Sequence, residues 1–297
     1  MGFISDFLKV LVLSLVEGIT EFLPISSTGH LVLVNQFIRL EPASFANAFS
    51  VIIQLGAIFS VVVLYWHRIN PWTKAKRPAR KPRHYDDFNL QTKLHYNLTH
   101  GDPQTLRLWG KVLVACIPGG LVGFLLDDFI DAHLMSMAVV ATTLLVYGLL
   151  IILVERWQMS RGEARFESVS EIPLKTALLI GCFQCLALVP GTSRSAATIL
   201  GAILLGCSRV AAAEFSFFLA IPVMVGATLL KVVKNLAGFS FYQWFLILIG
   251  LFLSFVVAYV VIKRFMTYIK RRSFIPFGYY RIALSVLLIL YMIFARA

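Results

Sequence analysis

Between Glu17 and His30 the chain reads EGITEFLPISSTGH. Two carboxylates, four hydroxyl side chains and an imidazole stand there in strongly apolar surroundings. Such groups are costly in hydrocarbon and mark function where they occur in it. The i, i+4 spacing puts Glu17 and Glu21 on one face of a helix. Two carboxylates held together in a low dielectric repel, so one carries a proton or a cation lies between them. A hard divalent ion such as Mg2+ or Ca2+ takes oxygen ligands and suits the pair. A catalytic acid/base pair is the second chemical reading, and two carboxylates facing a water-filled cavity the non-chemical one. After Pro24, the residues Ser26, Ser27 and Thr28 offer hydroxyls where a loop or helix start is expected. Ser and Thr are favoured N-caps, and a helix N-terminus attracts phosphate. If Ser27 and His30 share one helical turn, the imidazole can reach a hydroxyl or a water.

A second polar island, QCLALVPGTSRSAAT from Gln184 to Thr198, lies deep in the other half of the chain. Its sharpest residue is Arg194, a cation in an apolar segment that needs an anionic partner. Guanidinium binds phosphate oxygens bidentately, and Gly191, Thr192, Ser193 and Ser195 supply further donors around it. A salt bridge from Arg194 to Glu17 or Glu21 is the structural alternative. Aligned on their prolines, Pro24 matches Pro190, Ser26 matches Thr192 and Ser27 matches Ser193. The two islands together hold cation ligands, phosphate donors and a nucleophile or base, the parts of metal-assisted phosphoryl transfer. Gln54, Glu214 and Arg281 are polar residues in apolar runs that either support the site residues or serve structure, and Glu214 and Arg281 read as structural, as partners or interface anchors. His67, His84, His95, His100 and His133 read as solvated.

The elements that must position these groups are membrane helices. Of 297 residues, 59% are hydrophobic and 14% charged, with mean hydropathy +0.81, so the bilayer is the natural solvent. The chain is expected to form one integral membrane domain over 1–297, with no soluble domain and no cleaved leader. Its net charge of +12 belongs to loop sorting rather than to nucleic acid. Spans are predicted at 46–66, 106–126, 134–154, 210–230, 243–262 and 276–295. The apolar run 7–16 is too short to cross, and with 31–40 it predicts a re-entrant hairpin around the first island; a single kinked helix over 19–40 is the rival. The stretch 176–207, broken at Pro190, Gly191, Ser193 and Arg194, predicts a second hairpin. A short acidic connection at Asp127, Asp128 and Asp131 separates two spans. Eighteen Lys and Arg fall in the stretches 68–107, 156–175 and 263–272, against five on the other side, which puts the basic loops inside. Each half then holds one hairpin and three spans, so residues 1–156 and 157–297 form two repeats of inverted topology whose hairpin tips meet. The fold expected is all-α and polytopic: six transmembrane helices plus two re-entrant hairpins. The basic stretch 68–105 reads as a solvated topology signal or as a segment resting on anionic headgroups. The four cysteines sit in apolar runs as small hydrophobes rather than as a redox pair at Cys182 and Cys185.

The pattern Glu17-x-x-x-Glu21, the run from Pro24 to His30 and the run PGTSRSAAT from Pro190 to Thr198 resemble the bacterial undecaprenyl-diphosphate phosphatase family of the bacitracin-resistance type. That family's (E/Q)xxxE and PGxSRSxxT patterns are matched without a departure. Residues 181–188, 213–219 and 273–277 are also similar to it, while the stretch 68–105 is longer and more basic than the family leads one to expect. The resemblance implies dephosphorylation of a lipid carrier diphosphate, undecaprenyl diphosphate, to the monophosphate, and with it carrier recycling for envelope polymers and resistance to bacitracin. It implies an inner-membrane protein whose site opens to the periplasm, dependence on Mg2+ or Ca2+, and a homodimer. By position, Glu17 and Glu21 would bind the metal or manage protons, and Ser27 would be the nucleophile or position an attacking water. His30 would assist proton transfer. Arg194, with Thr192, Ser193, Ser195 and Thr198, would hold the terminal phosphate. A transporter or lipid-carrier flippase is the rival from another class, because broken helices meeting in the membrane are also a transporter plan; a structural membrane subunit would leave Glu17, Glu21 and Arg194 unexplained.

Overall fold

The computed structural model of the chain describes residues 3–73, 85–99, 101–235 and 238–294. Among these residues the regular elements are helices, and the β structure is an isolated bridge between Phe166 and Cys207. The order is α1 (Phe3–Thr20), α2 (Ser27–Val34), α3 (Ala43–Leu64), α4 (Trp66–Ile69), α5 (Leu90–Thr99), α6 (Pro103–His133), α7 (Met137–Arg161), α8 (Leu174–Gln184), α9 (Arg194–Leu204), α10 (Arg209–Asn235), α11 (Phe241–Ile269) and α12 (Ile275–Phe294). Six of them, α3, α6, α7, α10, α11 and α12, contain stretches long and apolar enough to cross a membrane. The chain therefore reads as a multi-pass membrane protein.

The helix starts follow from local chemistry. Asp102 caps α6 by accepting from the Thr105 N–H, with Pro103 in the first turn. Ser136 caps α7, and Ser240 and Gln243 close a capping box on α11. Pro118 and Pro222 lie inside α6 and α10 without ending them, as membrane helices allow. α1 has a long helix's length but carries Asp6, Lys9 and Glu17, which sets it apart from the six spans.

Two expectations change. The acidic connection predicted at 127–131 is not a break: the backbone of α6 continues as helix to His133. The stretch 68–105 is not wholly loop, because α4, a 3-10 turn at Tyr85–Asp87 and α5 lie within it. The basic cluster from Lys74 to Arg83, with His84 and His100, lies outside the described residues, as do the side chains of His95, Asp127, Asp128 and Asp131.

The helix pairs that set the site are α1 with α11, α8 with α6, α3 with α10 and α11, and α7 with α12. The largest apolar core centres on α10, where Phe215, Phe217 and Phe218 are buried. Phe22, just past α1, meets Phe217 edge to face at 5.2 Å, so the first island is anchored on the central span. Buried aromatic pairs of this geometry contribute about 0.5–1.5 kcal/mol beyond area burial. Two ion pairs tie neighbouring helices to α10: Arg209 grips both carboxylate oxygens of Glu155 in α7, at 2.9 and 2.7 Å, and Arg68 of α4 pairs with Glu214. That assigns Glu214 the structural role expected of it. The four cysteines are free.

Candidate active site

The break after α1 brings Glu21, Ser27 and Thr28 onto one cavity of ≈160 Å³, and the break before α9 brings Gly191, Ser193 and Arg194 onto its opposite wall. Gln54 of α3 adds a polar side chain, and Met224 and Ala227 of α10 add an apolar floor.

Each wall is built the same way. α1 runs to Thr20, and the Glu21 N–H still bonds to the Glu17 carbonyl at 3.0 Å, which carries Glu21 one turn beyond Glu17 on the same face. The chain then turns, and Ser26 caps α2 by accepting from the Gly29 N–H at 3.1 Å. In the second half a short 3-10 segment, Cys185–Leu188, follows α8, and Ser193 caps α9 by accepting from the Ala196 N–H at 3.3 Å. Both capping serines have positive φ, 74° for Ser26 and 76° for Ser193, a backbone region that costs a non-glycine residue about 1–3 kcal/mol. The capping register pairs Ser26 with Ser193, and hence Ser27 with Arg194, one residue away from the pairing of the two prolines. Both serines cap a helix start with nearly the same backbone φ, so the caps set the structural register. Nine residues before each cap stand Glu17 and Gln184.

Because the first residues of α2 and α9 line the cavity, two helix N-termini face the same space. Unpaired N–H groups at such ends favour an anion. The side chains continue that pattern. Ser27 donates its hydroxyl to Glu21 at 2.6 Å. Arg194 donates to the other Glu21 oxygen at 3.2 Å and to the Ser216 carbonyl at 2.9 Å. Glu21 is thus held between a hydroxyl and a guanidinium, so the structural alternative for Arg194, the bridge to Glu21, exists within the cavity wall itself. Its Nε has no protein partner among the described residues, leaving the fork with spare donor capacity.

The remaining candidates lie behind this surface. Glu17 is fully buried, and neither of its oxygens has a protein partner among the described residues. Ser26 serves as the cap. Ser195 donates to the Leu23 carbonyl at 2.9 Å and meets the Ser193 hydroxyl at 2.9 Å, which stitches the two islands together. Thr198 bonds to the Arg194 carbonyl and, at 2.7 Å, to the Ser216 hydroxyl. Thr192 is buried, with its N–H on the Val189 carbonyl. His30 is not brought to Ser27. Its Nδ1 lies 2.7 Å from the Ser26 carbonyl and its Nε2 2.7 Å from the Tyr280 hydroxyl, with the two rings stacked. One helical turn does separate Ser27 from His30, but the carbonyl of the cap captures the ring first.

Some supports were invisible or undervalued in the sequence. Arg281, fully buried in α12, donates to the Pro24 carbonyl at 3.3 Å, the Gly191 carbonyl at 2.8 Å and the Thr143 carbonyl at 3.3 Å. One guanidinium therefore clasps both island loops, which defines the structural role expected of it; a cation alone in an apolar helix was the available signal. Thr143 donates to the Pro190 carbonyl at 2.8 Å, and Gly191, at φ 86°, packs so closely that a Cβ would collide with the Thr143 hydroxyl. Nothing in the sequence singles out Thr143, Ser216 or Tyr280.

A divalent cation meets a limited but compatible donor set. Among the described residues no three His, Cys, Asp or Glu side chains cluster as metal ligands. Glu17 nevertheless offers two unpartnered buried oxygens one turn behind Glu21. Mg2+ is commonly held by one or two carboxylates with substrate phosphates and waters supplying the rest, and the residues present fit that mode.

Comparison with known proteins bears on the whole chain. The profile of a family described as Bacitracin resistance protein BacA matches residues 10–287. The chain is 50% identical over 293 residues to a protein of Limosilactobacillus fermentum named undecaprenyl-diphosphatase, covering 96% of this chain and 97% of the relative. It is 49% identical over 293 residues to one of the same name from Lactiplantibacillus plantarum, covering 96% and 98%. A Fusobacterium nucleatum protein, also named undecaprenyl-diphosphatase, is 48% identical over 284 residues, covering 94% and 98%.

Proposed function

The chain belongs to the Bacitracin resistance protein BacA family, and from that premise we propose that it hydrolyses undecaprenyl diphosphate to undecaprenyl phosphate and inorganic phosphate. The reaction returns a lipid carrier to peptidoglycan and other envelope synthesis and removes the form that bacitracin sequesters. The observation that carries the reading is the Ser27–Glu21–Arg194 chain of contacts, set between two helix N-termini in one cavity.

In this reading the terminal phosphate lies against the N-termini of α2 and α9. Arg194 turns its fork to the phosphate oxygens, with Ser193 and the backbone around Gly191 and Thr28 as further donors; developing charge is stabilised by groups already in place. Ser27 either attacks the terminal phosphorus, forming a phosphoserine that a water then cleaves to release inorganic phosphate and restore the hydroxyl, or aims a water directly at it. In both cases Glu21, 2.6 Å from the Ser27 hydroxyl, takes the proton. The lipid monophosphate is the leaving group. Ser26 shapes the first loop, Ser195 ties the two islands together, Thr198 braces Arg194, and Thr192 fills the turn before it. His30 keeps a part in proton transfer only through the Tyr280 hydroxyl or after its ring turns from the Ser26 carbonyl. Glu17 and Glu21 would hold Mg2+ or Ca2+, which when bound would offset phosphate charge.

The architecture is read in the same way. Residues 1–156 and 157–297 form two inverted-topology repeats of a single membrane domain, each a re-entrant hairpin followed by three spans. The exchanged pairing of α1 with α11 and α8 with α6 and the matched caps at Ser26 and Ser193 support it. The basic loops lie in the cytoplasm, the cavity opens toward the periplasm from the inner membrane, and the protein works as a homodimer. A reporter fused within 74–83 should be cytoplasmic; periplasmic activity there would reverse the topology.

The test is phosphate release from undecaprenyl diphosphate by the detergent-purified protein. Release lost on Arg194→Ala, on Glu21→Ala and with EDTA supports a metal-assisted phosphatase. No release by folded wild type supplied with Mg2+ and Ca2+ would favour the flippase reading, for which liposome flipping is the assay.

A further inference from the structure

Two buried side-chain atoms of the second island have no protein partner among the described residues, and they are of opposite kind. One is the Nε–H donor of Arg194, the other the Oε1 acceptor of Gln184. Both side chains line a cavity of ≈390 Å³, and Arg194 also lines the candidate active site. A buried donor or acceptor left without a partner is costly, and most such groups are paired. Apart from the weak Cys116 thiol, Arg194 carries the one hydrogen-bond donor that the other lining side chains offer Gln184. Gln184 is 5% exposed and ends α8, nine residues before the Ser193 cap, the place that Glu17 holds before Ser26. Its amide is seated against α6: a Cβ on Gly119 would come within 2.9 Å of its Nε2. The other guanidinium nitrogens are engaged, one on Glu21 at 3.2 Å and one on the Ser216 carbonyl at 2.9 Å.

We infer that Gln184 is the positioning residue of Arg194 in the phosphate-bound site: its Oε1 accepts the Nε–H as the fork turns from Glu21, leaving the terminal nitrogens to the phosphate. The inference rests on the phosphatase reading and adds a residue to it. A guanidinium on a long stem keeps its aim only when contacts other than the substrate hold it. Glu21 supplies such a contact while the fork faces it, and Gln184 supplies the next. Gln184 acts through Arg194 and touches no phosphate oxygen itself. The opposite arrangement, a hydrogen bond from Gln184 Nε2 straight to the phosphate, uses the donor end of the same amide, so the two can be told apart by removing one end at a time.

Phosphate release from undecaprenyl diphosphate is measured for wild type, Gln184→Met and Gln184→Glu, each with its thermal midpoint. Methionine keeps the length and removes the acceptor; glutamate keeps an acceptor and removes the amide donor. The expected result for Gln184→Met is a fall of roughly tenfold in kcat/KM, the scale of a lost hydrogen bond to a charged group. The fall should lie in kcat, with KM and the midpoint little changed, because the fork is needed most in the transition state. Gln184→Glu should keep more activity than Gln184→Met. If Gln184→Met does not fold, Gln184→Asn, which draws the amide back by one methylene, should show the same fall. Activity at the wild-type level in these variants would overturn the inference, and so would equal losses in Gln184→Met and Gln184→Glu, the mark of packing alone. Gln184→Glu falling below Gln184→Met would overturn it in favour of direct contact between Nε2 and the phosphate. A wild type that releases no phosphate would instead bring down the phosphatase reading, and the inference with it.

Discussion

The first island and the second share a backbone and divide the chemistry. Ser26 and Ser193 occupy equivalent capping positions with nearly the same φ, 74° and 76°, and each opens a helix onto the same cavity. The next residue differs: Ser27 in one, Arg194 in the other. Before the caps the contrast continues, with Glu17 and Glu21 on the first side and Gln184 and Leu188 at the matching places on the second. One island thus carries the hydroxyl and the carboxylates, and the other carries the cation. Geometry that presents helix N-termini to an anion is useful twice, whereas a second pair of carboxylates would repel the phosphate that the first wall receives.

The strongest way to break this division is to remove its cation. Arg194→Ala should lower kcat/KM by roughly a thousandfold, the scale of a lost charge-stabilising donor in phosphoryl transfer; an effect under tenfold would make Arg194 a structural bridge. Ser27→Ala should cost roughly a hundredfold or more, with KM little changed if the hydroxyl acts mainly in the transition state. His30→Ala should cost about tenfold or less, because the ring faces the Ser26 carbonyl and Tyr280 rather than Ser27. A loss from His30→Ala as large as that from Ser27→Ala would mean that the ring swings into the cavity during turnover. The smallest effect tests the shared backbone. Ser→Gly at a cap costs only a few tenths of a kcal/mol and relieves the positive φ, so Ser26→Gly and Ser193→Gly should each leave stability level or raise it by about 1 kcal/mol. Opposite signs in thermal unfolding would show that the two turns are not equivalent.

Much of this was legible before any coordinates. The six spans follow from apolar length, and the two islands from polar residues where hydrocarbon should exclude them. Six of the predicted site residues do meet in one cavity. The register between the islands was not legible, since two prolines are easier to see in a sequence than two capping serines, yet caps fix the turn. The split between cavity wall and supporting layer was also hidden. Ser195 and Thr198 look like phosphate donors from their types, but a carbonyl of the other island, Leu23, takes the Ser195 hydroxyl, and a local carbonyl, Arg194, takes that of Thr198. The His30 ring likewise meets the carbonyl one turn back, Ser26, rather than the Ser27 hydroxyl. Arg281 illustrates the reverse: its burial could be anticipated, but its grip on both Pro24 and Gly191 depends on α12 passing between loops far away in sequence.

The central claim is that the two islands form one catalytic unit, and a double-mutant cycle on phosphate release tests it directly. Ser27→Ala, Arg194→Ala and the double variant are measured for kcat/KM on undecaprenyl diphosphate. Groups acting together on one transition state are strongly non-additive, so the double variant should be little worse than Arg194→Ala alone. Losses that multiply across the two sites would mean that Ser27 and Arg194 act independently, and would contradict a single site shared between the islands.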